Sequence, residues 1–209
     1  MLGFTIAQDL DVLCLGAHPD DIEIGCGGTL LALAATHDIR LTNLVLTASA
    51  DREPEARNAA ELFVPGSEVQ VHHLPDGRLP AHWNDVKEIL EGAARELQPD
   101  LIFAPREGDA HQDHRTVAEL VTTVWRDSLV LRYEIPKWDG DRARPTHYVP
   151  LSPDLARRKL ELLDTAYPSQ QARDWWDEEM FLGQLRLRGM ECRSRYAEAF
   201  EVDKAVVSL

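Results

Sequence analysis

One feature constrains this chain's fold more than any other: short apolar runs alternate with helical segments. Residues 11–16 (DVLCLG) form a nearly continuous apolar run, and a helical pattern follows over 25–35. The run 41–47 (LTNLVLT) precedes an Ala-rich helix at 55–63, and the alternating run 68–74 precedes an amphipathic helix at 86–97. The buried-looking segment 100–104 (DLIFA) leads into a helix over 114–125. Strands this short, interleaved with helices of ~10–15 residues, predict crossover connections and a mostly parallel sheet.

The expected fold is therefore α/β: Rossmann-like, doubly wound, with helices flanking a mostly parallel sheet. Beyond residue 127 the pattern loosens. A fifth strand is expected at 129–135, a polar, turn-rich loop at 136–145 (PKWDGDRARP) and a short strand at 147–151. Helices are expected at 153–165 and 175–189, and a terminal strand at 199–202. No repeat, low-complexity tract or linker interrupts this, so residues 1–209 are expected to form one domain.

Charge narrows the partners. With 36 Asp and Glu against 22 Lys and Arg, the chain carries a formal charge of −14. Nucleic acid and anionic membrane surfaces need clustered Lys and Arg and are excluded as partners. No apolar run reaches the ~20 residues that span a bilayer. The N-terminus lacks the basic and apolar regions of a secretory signal, so a cytoplasmic location is expected. Cys14, Cys26 and Cys192 follow no disulfide or metal spacing and are expected to be reduced thiols. A four-Cys zinc site is ruled out by count, so any metal must rest on His and carboxylate. Oligomeric state is left open.

In open parallel sheets, ligands bind beyond the carboxyl ends of the strands, where strand order reverses. Two polar clusters fall at such ends: Ala17-His18-Pro19-Asp20-Asp21-Ile22-Glu23, running on through Ile24 to Thr29, after the first strand, and Pro105-Arg106-Glu107-Gly108-Asp109-Ala110-His111-Gln112-Asp113-His114 after the fourth. A smaller one, Pro75-Asp76-Gly77, follows the third. His18, Asp21 and His114 together are two imidazoles and one carboxylate, the composition of a hydrolytic zinc site with an open position for water. Such an ion polarises a carbonyl and acidifies water, and the adjacent Asp20 is placed to act as general base. A protonated His111 would stabilise an oxyanion or donate to a leaving amine, with Asp113 as its carboxylate partner. The competing reading is a pair of helix N-termini with capping aspartates and surface histidines.

The run His18-Pro19-Asp20-Asp21 with Glu23 and Gly25-Cys26-Gly27-Gly28-Thr29, paired with His111-Gln112-Asp113-His114, resembles the LmbE/PIG-L family of zinc-dependent N-deacetylases. The resemblance extends to Arg52-x-x-Glu55, Pro75-Asp76-Gly77, Ser169-Gln170 and Arg195-Tyr196-Ala197-Glu198. It implies His18, Asp21 and His114 as zinc ligands, Asp20 as base, His111 as the electrophilic or acid histidine and Asp113 as its partner. It further implies that Arg52 and Asp76 contact sugar hydroxyls. Many members carry Glu directly after the two aspartates, where this chain has Ile22 followed by Glu23. The implied activity is hydrolysis of an acetamide on a small N-acetyl sugar or glycoside.

Other features carry less. Gly25-Cys26-Gly27-Gly28 lacks the third glycine of a dinucleotide loop and reads as a close-packed turn, which disfavours a nucleotide-binding oxidoreductase. Trp138, in the 136–145 loop, has a flat apolar face that could stack on a sugar ring, or could be structural. Trp175 and Trp176 read as packing residues. His72, His73 and His82 have no carboxylate constellation around them and read as surface or core histidines. An amidase acting on a larger sugar conjugate and a non-catalytic sugar-binding protein remain as alternatives.

Overall fold

The structure, a computed structural model, describes Gly3 and residues 9–206. Five parallel strands form most of one sheet: β1 (Leu10–Gly16), β2 (Ile39–Val45), β3 (Glu68–Val71), β4 (Leu101–Pro105) and β5 (Leu129–Tyr133). Two more, β6 (His147–Leu151) and β7 (Tyr196–Glu201), complete the order β3-β2-β1-β4-β5-β7-β6. β7 is antiparallel to both of its neighbours. It therefore slots inside the sheet, where sequence alone suggested a shorter terminal strand at 199–202.

The helices are α1 (Asp21–Thr36), α2 (Glu53–Phe63), α3 (Trp83–Ala94), α4 (Gln112–Val124), α5 (Pro153–Ala166) and α6 (Glu178–Cys192). Successive side chains of β1 face opposite layers, as the two-residue strand period requires. Val12 and Cys14 pack into a core that also holds buried residues of α1, α2, α5 and α6. Leu13 and Leu15 pack with Val86 and Leu90 of α3 and with Val117 and Leu120 of α4. This is the doubly wound α/β fold expected from the alternation.

Two boundaries differ instructively. The expected helix at 25–35 begins at Asp21, and the glycine run expected as a turn lies inside α1. Glycine's poor helix propensity is outweighed here by close packing. A Cβ on Gly25 would fall inside the Tyr133 ring, one on Gly27 would come within 2.5 Å of Phe63, and one on Gly28 within 2.5 Å of Leu151. Below this run the buried Lys159 and Glu198 form an ion pair at 2.6 Å. Glu198 accepts the N–H groups of Gly28 and Thr29, while Lys159 donates to the Ile24 carbonyl. Side chains from α5 and β7 thus stand in for part of the α1 hydrogen-bond ladder. The second shift is at α6, which starts at Glu178 with Asp177 as its N-cap rather than at 175. Trp175 and Trp176 lie just before it and pack against the core.

Candidate functional site

Strand order reverses between β1 and β4, so the crevice for a ligand lies beyond their carboxyl ends. The loop from β1 into α1 carries His18 and Asp20, and the loop from β4 into α4 carries Asp109 and His111. The His18 N–H donates to Asp21 Oδ2 at 2.8 Å, which closes the first loop into a tight turn. Asp20, at the N-cap of α1, adopts φ 95°, a left-handed conformation unusual for a residue with a side chain. Backbone strain of this kind clusters at functional sites.

Three donors converge. His18 Nδ1 lies 3.2 Å from His114 Nε2 and 3.4 Å from Asp21 Oδ2. Asp21 Oδ1 lies 3.3 Å from His114 Nε2 and is fully buried without a hydrogen-bond partner. His111 is beside them, its ring stacked on His114 at 4.6 Å and edge-on to His18 at 4.7 Å. One ligand atom from each of the three histidines falls within 4.8 Å of the others.

The outward nitrogens of the two converging histidines meet carboxylates. His18 Nε2 lies 3.2 Å from Asp113 Oδ2 and 3.0 Å from Asp76 Oδ1. His114 Nδ1 lies 3.0 Å from Asp109 Oδ1, though outside hydrogen-bonding alignment. Burial opposes charge on His114, yet Asp21 and Asp109 override it and push its pKa up to about 9. Burial likewise opposes charge on His18, but Asp21, Asp113 and Asp76 raise its pKa well above the ordinary value. Asp21 is buried too, and the facing histidines hold it well below the usual carboxylate range.

The pairing of Asp113 with His111 expected from sequence is not the one found. Asp113 accepts the Gly77 and Leu79 N–H groups at 2.7 and 2.9 Å and turns its carboxylate to His18. His111 is the N-cap of α4, and its Nδ1 accepts the Asp113 N–H at 3.2 Å. Burial and the neighbouring His18 and His114 lower the His111 pKa. The physical reason is helical geometry: at the first turn of α4, the capping side chain meets a backbone N–H and not the side chain two residues on.

Asp20 is buried, and burial raises its pKa against the opposing pull of Arg52. Arg52 Nη2 donates to Asp20 Oδ2 at 2.8 Å and to the Pro19 carbonyl at 2.7 Å, and Arg52 Nε donates to Glu55 at 3.1 Å. Glu55 in turn accepts the N–H and hydroxyl of Ser169, which ties α2 to the segment after α5. Arg52 is thus committed to the Asp20 carboxylate. Behind it, Tyr167 donates to the buried Glu23 at 2.6 Å, and desolvation raises the Glu23 pKa to about 7. Asp76 is largely exposed and faces the crevice.

Asp109 was missed in sequence. Its signal was present, since a histidine that holds a metal usually turns its other nitrogen to a carboxylate, and Asp109 stands five residues before His114. The three cysteines are free, with Cys14 and Cys26 buried. Among the described residues, no helix is long and apolar enough to cross a membrane.

A doubly wound sheet with clustered His and Asp side chains at its switch point defines an α/β protein with a histidine–carboxylate centre, the donor composition of a hydrolytic metal site. Residues 13–125 match the family model described as PIG-L, GlcNAc-PI de-N-acetylase. The chain belongs to that family of deacetylases. An uncharacterized deacetylase of Escherichia coli (strain K12), YaiS, is 32% identical over 139 residues, which cover 60% of this chain and 74% of that one. The conserved protein TT1542 of Thermus thermophilus has the same fold, with TM-score 0.76, 24% identity and coverage of 96% of this chain and 97% of that one. So does the N,N'-diacetylchitobiose deacetylase of Pyrococcus horikoshii, with TM-score 0.70, 23% identity and coverage of 92% and 83%.

Proposed function

We propose that this protein hydrolyses the acetamide of a small N-acetyl sugar or glycoside, releasing acetate and a free amine, with a zinc ion held by His18, Asp21 and His114. The observation that carries this reading is the approach of His18 Nδ1 and His114 Nε2 to 3.2 Å, each within 3.4 Å of one of the two oxygens of the Asp21 carboxylate. Donors ~2.0–2.1 Å from a tetrahedral ion stand about 3.3 Å apart, so the donor set fits the ion. The unpartnered, buried Asp21 Oδ1 and the outward carboxylates support the same assignment. Bound there, zinc supplies Lewis acidity, polarising a carbonyl and lowering the pKa of water toward ~7.

The chain's own groups do the rest. Asp20 is the general base; Arg52 holds its Oδ2 and keeps the carboxylate ionised, leaving Oδ1 to take the proton of the attacking water. Burial raises its pKa and so makes it a stronger base than an exposed aspartate. The lone pair of His111 Nδ1 is taken by the Asp113 N–H, so the proton sits on Nε2 and a neutral imidazole donates to the developing oxyanion. This replaces the protonated His111 expected from sequence. Asp20 then returns its proton to the departing amine.

Asp113 and Asp109 orient the two ligand histidines, and Asp76 and Arg52 line the mouth where sugar hydroxyls are read. The deacetylase domain is taken as residues 1–209, a reading supported by a single sheet joining all seven strands. Free cysteines suit the cytoplasm as its compartment.

The test is zinc analysis coupled to acetate release from a panel of N-acetylglucosamine glycosides, for the native protein and for Asp20→Asn. The expected result is one zinc in both, with turnover falling by at least about a hundredfold in the variant. Equal turnover would remove Asp20 from the base role. Zinc without acetate from any member would reject deacetylation.

A further inference from the structure

The loop between β5 and β6 meets the β4–α4 loop that carries His111. That loop is fastened at two points. Asp141 Oδ2 accepts from Nη2 of the buried Arg106 at 2.5 Å and from the N–H of Ala110, the residue before His111, at 2.6 Å. The Ala143 N–H donates to Glu134 at 3.3 Å, and Glu134 is held by Arg188 at 2.6 and 2.8 Å.

Before the first fastening, Trp138 projects with 67% of its surface exposed. It meets Trp175 at 6.3 Å and 78°, so the two indoles make a corner rather than a stack. Lys137 covers Trp175, its Nζ 4.7 Å from the ring centre, and leaves Trp138 as the open face. From Trp175 the contacts run on through Trp176 at 5.4 Å and Tyr167 at 6.0 Å to Arg52 at 5.9 Å, which is bonded to Asp20. The Lys137 ammonium also bears on the Asp20 carboxylate. The segment 137–141 therefore borders the site on both its Asp20 and His111 sides.

We propose that Trp138, backed by Trp175 and Lys137, is a subsite for the second pyranose ring of a disaccharide substrate, which stacks its apolar face on the indole. This assignment rests on the deacetylase reading above and deepens it. Size favours a single ring over a protein partner: one open indole is far below the ~800 Å² per side that a stable protein interface buries. Preorganisation favours it as well, because a loop already fastened pays little ordering entropy when the ring arrives.

The experiment measures binding of N-acetylglucosamine and of N,N'-diacetylchitobiose by calorimetry to the native protein, Trp138→Ala and Trp138→Phe, with acetate release followed in parallel. The native protein is expected to prefer the disaccharide. Trp138→Ala should lower the disaccharide-to-monosaccharide affinity ratio about fivefold to tenfold, the worth of one ring stack, and Trp138→Phe should keep most of it. The proposal is overturned if the ratio is unchanged in Trp138→Ala, or if the native protein binds both sugars equally or neither. It is also overturned if light scattering shows that Trp138→Ala dissociates a dimer, since a second copy would then cover the indole. Trp138-dependent binding without acetate release keeps the subsite and rejects deacetylation. Acetate release with an unchanged ratio does the reverse.

Discussion

His18 Nε2 stands 3.2 Å from Asp113 Oδ2, and this contact leaves Nδ1, the opposite ring nitrogen, facing His114 and Asp21. A carboxylate behind a ligand imidazole fixes its tautomer and raises its basicity. Asp113→Asn should therefore weaken zinc affinity about 10- to 100-fold while leaving the fold in place, because the amide oxygen can still accept the Gly77 or Leu79 N–H. Competition with a chelator measures it, and an unchanged affinity would take Asp113 out of the orienting role.

The pH dependence of the metal-free protein follows from His114. Its folded pKa of about 9 lies above the ordinary histidine value, so its ion pair with Asp21 contributes stability fully below pH ~6.5. That contribution is lost as pH rises through about 9. The same proton competes with a metal, since a ligand histidine must be neutral. Between pH 6.5 and 9, the melting temperature of the metal-free protein should fall and zinc affinity should climb by at least about tenfold per pH unit, because His114 and His18 must each lose a proton to bind the ion. Calorimetric scans and chelator titrations across that window check both slopes, and flat traces would contradict the His114 assignment.

Arg52 acts on Asp20 in the opposite direction from burial. Removing the guanidinium leaves only the weaker pull of Lys137 against desolvation, so the Asp20 pKa rises in Arg52→Ala. The acid limb of the kcat/KM profile should then move to higher pH, with Arg52→Lys in between. A pH–rate profile over the acid range decides it. An unmoved limb with a raised KM alone would make Arg52 a sugar contact and nothing else.

Gly25 of α1 and Gly183 of α6 should respond oppositely to alanine. Gly25→Ala drives a methyl into the Tyr133 ring and should destabilise by about 1–3 kcal/mol or more. Gly183, exposed on α6, has nothing within 4 Å of its added Cβ, and Gly183→Ala should stabilise by about 0.5–1 kcal/mol. Urea unfolding of the two variants measures the difference in sign.

The alternation of apolar runs made β1 through β5 and their helices readable, because a strand or helix period is local and each run marks its own element. The two His–Asp clusters were readable for a related reason, as each follows a strand in sequence. The start of α1 was not, since glycine propensity argues for a turn and only Tyr133, Phe63 and Leu151 explain a helix there. The partner of Asp113 was not readable either. Proximity in sequence pointed to His111, while the carboxylate reaches His18, 95 residues away.

By itself the sequence determined a doubly wound α/β fold and the residue types of a histidine–carboxylate centre, since hydrophobic period and donor chemistry are properties of short segments. Tertiary structure decided which nitrogen of each histidine faces inward, which carboxylate backs it, that Arg52 is bound to Asp20, and that Trp138 stands open at the rim. Each of these depends on the packing of elements distant in sequence, and hydrogen-bond geometry at 3 Å is set only once the sheet has brought those elements together.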